Sequence, residues 1–186
     1  MRSLPAAAAP ASLYEGMTAF LEGNEDPRTV LVAREIGAIF DADIVGWAGV
    51  HTAPPDYADD PDYLQLVRCN PRNALALGKV HGLLKSLIER RFPDFNEKSL
   101  ETGEIARKSF LRRLRAYLQG DIEPIQVCRM ASLIEQTYEY PHWLGDLYNA
   151  CDWVDERTTR EQASHLRDAI EQILADNGES QAYGSK

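Results

Sequence analysis

Residues 70–93, NPRNALALGKVHGLLKSLIERRFP, decide the fold class. Leu77, Val80, Leu84, Leu87 and Ile88 recur at three- and four-residue intervals. That spacing gathers them on one helix face and would scatter them over both faces of a strand. Asn70-Pro71 reads as a cap followed by a first-turn proline, and Pro93 ends the run. An amphipathic helix of this length needs other elements to cover its apolar stripe, and the flanking sequence offers more helices of the same kind.

Toward the N-terminus, Asp60-Pro61 opens a short helix through Leu64 and Val67. Asp26-Pro27 opens another, followed by a stripe of Val32, Ile36, Ile39 and Phe40. Ser12 and Glu15 form a capping-box pattern ahead of Leu13, Met17, Phe20 and Leu21, with Gly23 as a stop. Toward the C-terminus, a helix from Ser99 to Gln119 carries Leu111, Leu114 and Leu118 inward and stops at Gly120. Pro124 opens a helix with Val127, Met130, Ala131, Ile134 and Tyr138 on one stripe. Pro141 separates it from a further helix, and Thr158 with Glu161 caps the last, which carries Leu166, Ile170, Ile173 and Leu174 and stops at Gly178.

Only residues 43–51, DIVGWAGVH, offer a candidate strand, and Gly46 and Gly49 argue instead for a tight bend or close helix packing. The expectation is therefore an all-α, single-domain bundle of about seven to eight helices over residues 12–178. A loop at 51–60 is a candidate sub-boundary. A disordered tail is expected at residues 1–11 and a flexible one at 179–186.

The chain has 186 residues, 44% apolar and 26% charged, with a net charge of −9. Such a chain repels nucleic-acid phosphates and anionic lipid and attracts basic proteins. No apolar run approaches the ~20 residues that span a bilayer. Cys69, Cys128 and Cys151 are odd in number and lack metal-ligand spacing, which fits reduced thiols in a cytoplasmic protein.

No catalytic, cofactor or metal motif is present. There is no HExxH, no paired ExxH of a di-iron bundle, no GxSxG and no phosphate-cradling glycine loop. His81 flanks an apolar stripe, His142 enters the aromatic segment, and His165 lies one turn from Glu161 and Asp168, as in a surface ion pair. Cys151 sits among acids, which raise a thiol's pKa and oppose a nucleophilic role. Lys108, Arg112 and Arg115, with Arg107 and Arg113 beside them, form the only dense basic region, apart from Arg90 and Arg91 closing the preceding helix. Pairing with the excess carboxylates is its simplest use.

Two stretches combine aromatics with unpaired acids. The first, HTAPPDYADDPD at 51–62, sets Asp56, Tyr57 and Asp59 near Trp47; it lacks EF-hand spacing, and Asp60 is better used as a helix cap. The second, YEYPHWLGDLYNACDWVDE at 138–156, holds two of the chain's three Trp and no Lys or Arg. Projected on a helix, Leu144, Leu147, Tyr148 and Cys151 face inward, with Trp143 at the edge. Asp146, Asp152, Trp153 and Glu156, with Asp155, face outward. Rigid aromatics rimmed by charge are the anatomy of an interface.

The expected function is an acidic protein-binding module, most concretely an inhibitor or immunity-type protein that neutralises a basic toxin or effector. Its partner-binding residues would be Asp146, Asp152, Trp153, Asp155, Glu156, Asp56, Tyr57 and Asp59. The alternatives are an enzyme or small-ligand binder with a pocket between helices, and a secretion chaperone or adaptor.

Overall fold

The computed structural model describes residues 20–21, 23–50, 56–139 and 141–177. The expected Ser12–Gly23 helix, the Gly178 stop, residues 51–55 of the 51–60 loop and both expected tails lie wholly or largely outside them. The described residues form eight α-helices and no strand. In chain order these are α1 (Pro27–Glu35), α2 (Asp41–Gly49), α3 (Pro61–Arg68), α4 (Ala74–Arg91), α5 (Leu100–Gln119), α6 (Pro124–Tyr138), α7 (Leu147–Cys151) and α8 (Ser164–Asp176). A 3₁₀ turn, His142–Leu144, precedes α7.

Local capping chemistry starts three of them where expected. Asp26 accepts from the Arg28 N–H, Asp60 from the Asp62 N–H, and Ser99 from the Thr102 N–H. Each satisfies a donor that a helix start otherwise leaves open. Two starts are corrected. Helix α4 begins at Ala74 because Asn73 accepts from the N–H groups of Leu75 and Ala76. Asn70 instead closes a turn on the Arg72 N–H. Helix α8 begins at Ser164, because Thr158 is bonded to Asp155 in the preceding turn.

Residues 43–51 are not a strand or a bend: most of the stretch lies in α2. Asp43 accepts from the Phe40 N–H at 2.7 Å and opens the helix. Ile44, Trp47 and Ala48 then fall at helical spacing into the core. A Cβ at Gly46 or Gly49 would meet nothing within 4 Å, so neither glycine serves close packing. The two glycines cost roughly 1 kcal/mol each in a helix, which burial of Trp47 offsets. Helix α1 ends sooner than its apolar stripe because Gly37 takes φ +73°, a region L-residues avoid. Ile36, Ala38 and Ile39 stay in the core from the turn, while Phe40 is turned out to solvent.

Helix α4 packs on α1, α2 and α3; α5 packs on α1, α6 and α8; α7 packs on α6 and α8. One continuous core joins them, with Leu84, Leu87, Phe110, Leu111, Leu114 and Ile134 sealed from water. Each such side chain contributes roughly 1.5–3 kcal/mol. The long helices α4 and α5 thus form the frame, and the five-residue α7 is held against α6 and α8 at its edge.

Three arginines of the basic region are engaged inside the molecule. Arg113 donates to the Ala38 carbonyl and lies 4.2 Å from the Phe20 ring centre, and its burial pulls its pKa down. Arg112 donates to the Phe20 carbonyl, and Arg107 pairs with Glu104 and Asn177. No helix among the described residues is long and apolar enough to cross a membrane.

Candidate functional site

The two acidic-aromatic stretches fold in opposite senses. In the first, Trp47, Tyr57 and Tyr63 pack ring on ring. Trp47 stacks on Tyr57 at 6.4 Å, and Tyr63 sets its edge to Tyr57 at 5.1 Å. Tyr63 donates its hydroxyl to the Ala48 carbonyl, and Trp47 its indole N–H to the Glu25 carbonyl. Tyr57 is 9% exposed, and its burial pushes its hydroxyl pKa well above the ordinary tyrosine value. Tyr57 is therefore a core residue, whereas the sequence places it on a partner-facing surface. The carboxylates around it are occupied too. Asp60, 2% exposed, is gripped by Arg90 at 2.9 Å, and that hydrogen bond holds its pKa below the usual carboxylate range. Arg90 also reaches Asp62, and Arg91 reaches Asp59. Of the expected contacts here, Asp56 is exposed and Asp59 is exposed but paired with Arg91.

The second stretch is not one helix. Helix α6 ends with Glu139 in the left-handed region at φ 54°. The 3₁₀ turn drives Leu144 into the core, and Gly145 then reverses the chain at φ 50°. Helix α7 buries Leu147 and Ala150 and stops at Cys151. Acids are unfavourable at a helix C-terminus, where the backbone carbonyls are already negative. Asp152, Asp155 and Glu156 follow that end, and Asp155 folds onto the Arg157 N–H and the Thr158 hydroxyl. Those bonds hold the Asp155 carboxyl below its usual pKa and tie it to its own turn. Glu156 pairs with Arg129 at 2.8 Å. The single acidic helix face expected for 146–156 is thereby broken. Asp155 and Glu156 are spoken for, while Asp146 and Asp152 stay exposed without an ion-pair partner among the described residues.

Trp153 is 78% exposed. It stands on one wall of a groove of about 1000 Å³ between the α7 segment and α8. The near wall carries His142, Trp143, Asp146, Asn149 and Trp153; the far wall carries His165, Asp168, Gln172 and Asp176. Three carboxylates line it and no Lys or Arg does. Arg167 of α8 is turned to Glu171 at 3.0 Å. His165 does not form the expected surface ion pair; its Nε2 contacts the Ala150 carbonyl at 3.0 Å and links α8 to α7. Trp143 sits at the edge of the core, with its ring 6.0 Å from Phe110.

The α8 wall was not part of the sequence reading. Asp168, Gln172 and Asp176 repeat every four residues without a cation on that face, which is the signal that could have found it. The cysteines need a second correction. Cys128 of α6 and Cys151 of α7 are disulfide-bonded, with Cα atoms 5.4 Å apart, so they are not reduced thiols and Cys151 is no nucleophile; Cys69 is free. Both lie beside inward stripes of successive helices joined by a short connection, which places such helices side by side. Among the described residues no three of His, Cys, Asp and Glu converge as metal ligands.

No protein-family model, curated protein or solved structure matches this chain.

Proposed function

We propose that the protein is an acidic protein-binding module whose docking site is the α7–α8 groove. Its partner would present a basic segment, as a toxin, nuclease or effector neutralised by an inhibitor would. One observation carries this reading: Trp153 stands exposed beside Asp146, Asp168 and Asp176 in a groove that no Lys or Arg lines. A guanidinium or ammonium group over a tryptophan face gains roughly 0.5–2 kcal/mol, and nearby carboxylates speed the encounter. The groove is open along its length and mixed in polarity, which suits a chain segment better than an enclosed small molecule. A cytoplasmic setting is part of the proposal.

The test is capture of partners from the native host by the wild-type chain and by the reversal D146K/D152K/D168K. The captured protein is then mixed with wild type over a range of ionic strengths. Loss of capture by the variant and an association rate that falls steeply with salt are expected. Undiminished capture, or a rate indifferent to salt, would overturn the reading.

A further inference from the structure

The groove wall that carries Trp153 has little of its own to hold it. Helix α7 is five residues long, too short to be stable by itself. Gly145 breaks the chain before it, and no capping side chain starts it. Its anchors are the buried Leu147 and Ala150, Tyr148 packed against the core, the His165 contact to the Ala150 carbonyl, the Cys128–Cys151 bond at its last residue and, beyond it, the Glu156–Arg129 pair. Trp153 follows two residues later, and Asp152 caps the helix end. Cys128, by contrast, lies in the second turn of the fifteen-residue α6, which also packs on α5.

From this placement we infer that the Cys128–Cys151 bond is a redox control on the docking groove: oxidised it fixes α7 and Trp153 in place, and reduced it lets that wall loosen. The inference rests on the docking reading for its consequence but not for its geometry. In a reducing compartment a persistent disulfide is uncommon, and those that occur are switching bonds more often than structural ones. Cys151 is half-buried and Cys128 is at the edge of full burial, so a reductant meets the Cys151 sulfur first.

The chemistry is ordinary thiol–disulfide exchange with a dithiol reductant of the thioredoxin class. One reductant thiolate attacks the Cys151 sulfur, the Cys128–Cys151 bond breaks, and Cys128 leaves as a thiolate that takes up a proton. The second reductant thiol then attacks the mixed disulfide and releases Cys151. Two electrons and two protons pass to the protein, and the dithiol becomes a disulfide.

The test uses the full chain, oxidised and after dithiothreitol reduction, with the C128S/C151S variant as a non-bonding control. Amide hydrogen exchange is followed over residues 142–156 and over α4 and α5. The same samples are titrated with a fluorescein-labelled oligo-arginine peptide. The inference expects faster exchange in 142–156 on reduction, protection in α4 and α5 retained, and peptide affinity falling by about tenfold or more. Equal protection of 142–156 in both forms overturns it. So does loss of protection throughout the chain, which would make the bond a staple of the whole fold. If α7 loosens but the peptide binds neither form, the docking reading falls and control of the groove wall by the bond stands.

Discussion

The segment around Trp47–Asp62 and the segment around Tyr138–Glu156 have the same composition and opposite fates. Both join tryptophan and tyrosine to clustered carboxylates. In the first, the rings turn inward and Arg90 and Arg91 take up the acids. In the second, Trp153 turns outward and Asp146 and Asp152 are left to solvent. What differs is the neighbourhood. Helix α4 delivers two arginines to the first segment at its C-terminal end, where cations are favoured. Helix α8 brings further acids, Asp168 and Asp176, and no Lys or Arg to the groove beside the second. On the proposed reading, a carboxylate cluster serves docking where the fold has not already supplied its counter-charge.

The contrast is sharpest at the two tryptophans. Trp47→Ala empties a fully buried site and is expected to cost about 3–5 kcal/mol in urea denaturation. Trp153→Ala should change stability by less than about 0.5 kcal/mol. It should nonetheless weaken partner binding by about 2 kcal/mol or more in calorimetric titration. Equal stability losses at the two positions would erase the distinction.

Removing the Cys128–Cys151 link comes next in size. The bond joins residues 23 apart in sequence. C128S/C151S should cost about 3 kcal/mol if the whole loss falls on the unfolded chain, and less if α7 alone loosens. Comparing global and local exchange energies separates the two.

Asp60 tests the occupied side by pH. Its folded pKa is held below its unfolded value of about 3.9. The stability it contributes is therefore complete above pH ~4 and is lost as pH falls through the folded pKa. Asp60→Asn should be destabilised near neutrality by about 1–3 kcal/mol, counting the lost cap and pair. The gap from wild type should shrink below pH ~4 in denaturation curves. A gap that stays constant with pH would show that Asp60 acts through shape alone. The smallest effect is expected from D146K/D152K, within about 0.5 kcal/mol of wild-type stability, because neither carboxylate has an ion-pair partner among the described residues.

Features set by near neighbours in the chain were legible in the sequence. The stripes of α4, α5 and α6 and the caps Asp26, Asp60 and Ser99 depend on side chains within a turn or two. Features set by distant partners were not. Trp47 makes α2 a helix by reaching a core built mostly of other elements. Tyr57 and Trp153 look alike until the ring partners of one and the open groove beside the other are known. Asp155 and Glu156 seemed free because their partners, Thr158 and Arg129, lie off the helical projection. Cys128 and Cys151 carry no spacing motif, and only the packing of α7 on α6 brings them together.

The most direct measurement compares two charge reversals in binding to the captured basic partner, or to oligo-arginine, at low and physiological salt. D146K/D152K/D168K alters the groove at Asp146 and Asp168, together with the exposed Asp152 next to Trp153; D56K/D59K alters the segment whose aromatics are buried. Binding should be lost with the first and kept with the second. Binding kept with the first and lost with the second would place the docking surface on the Tyr57 side and contradict the assignment of the groove.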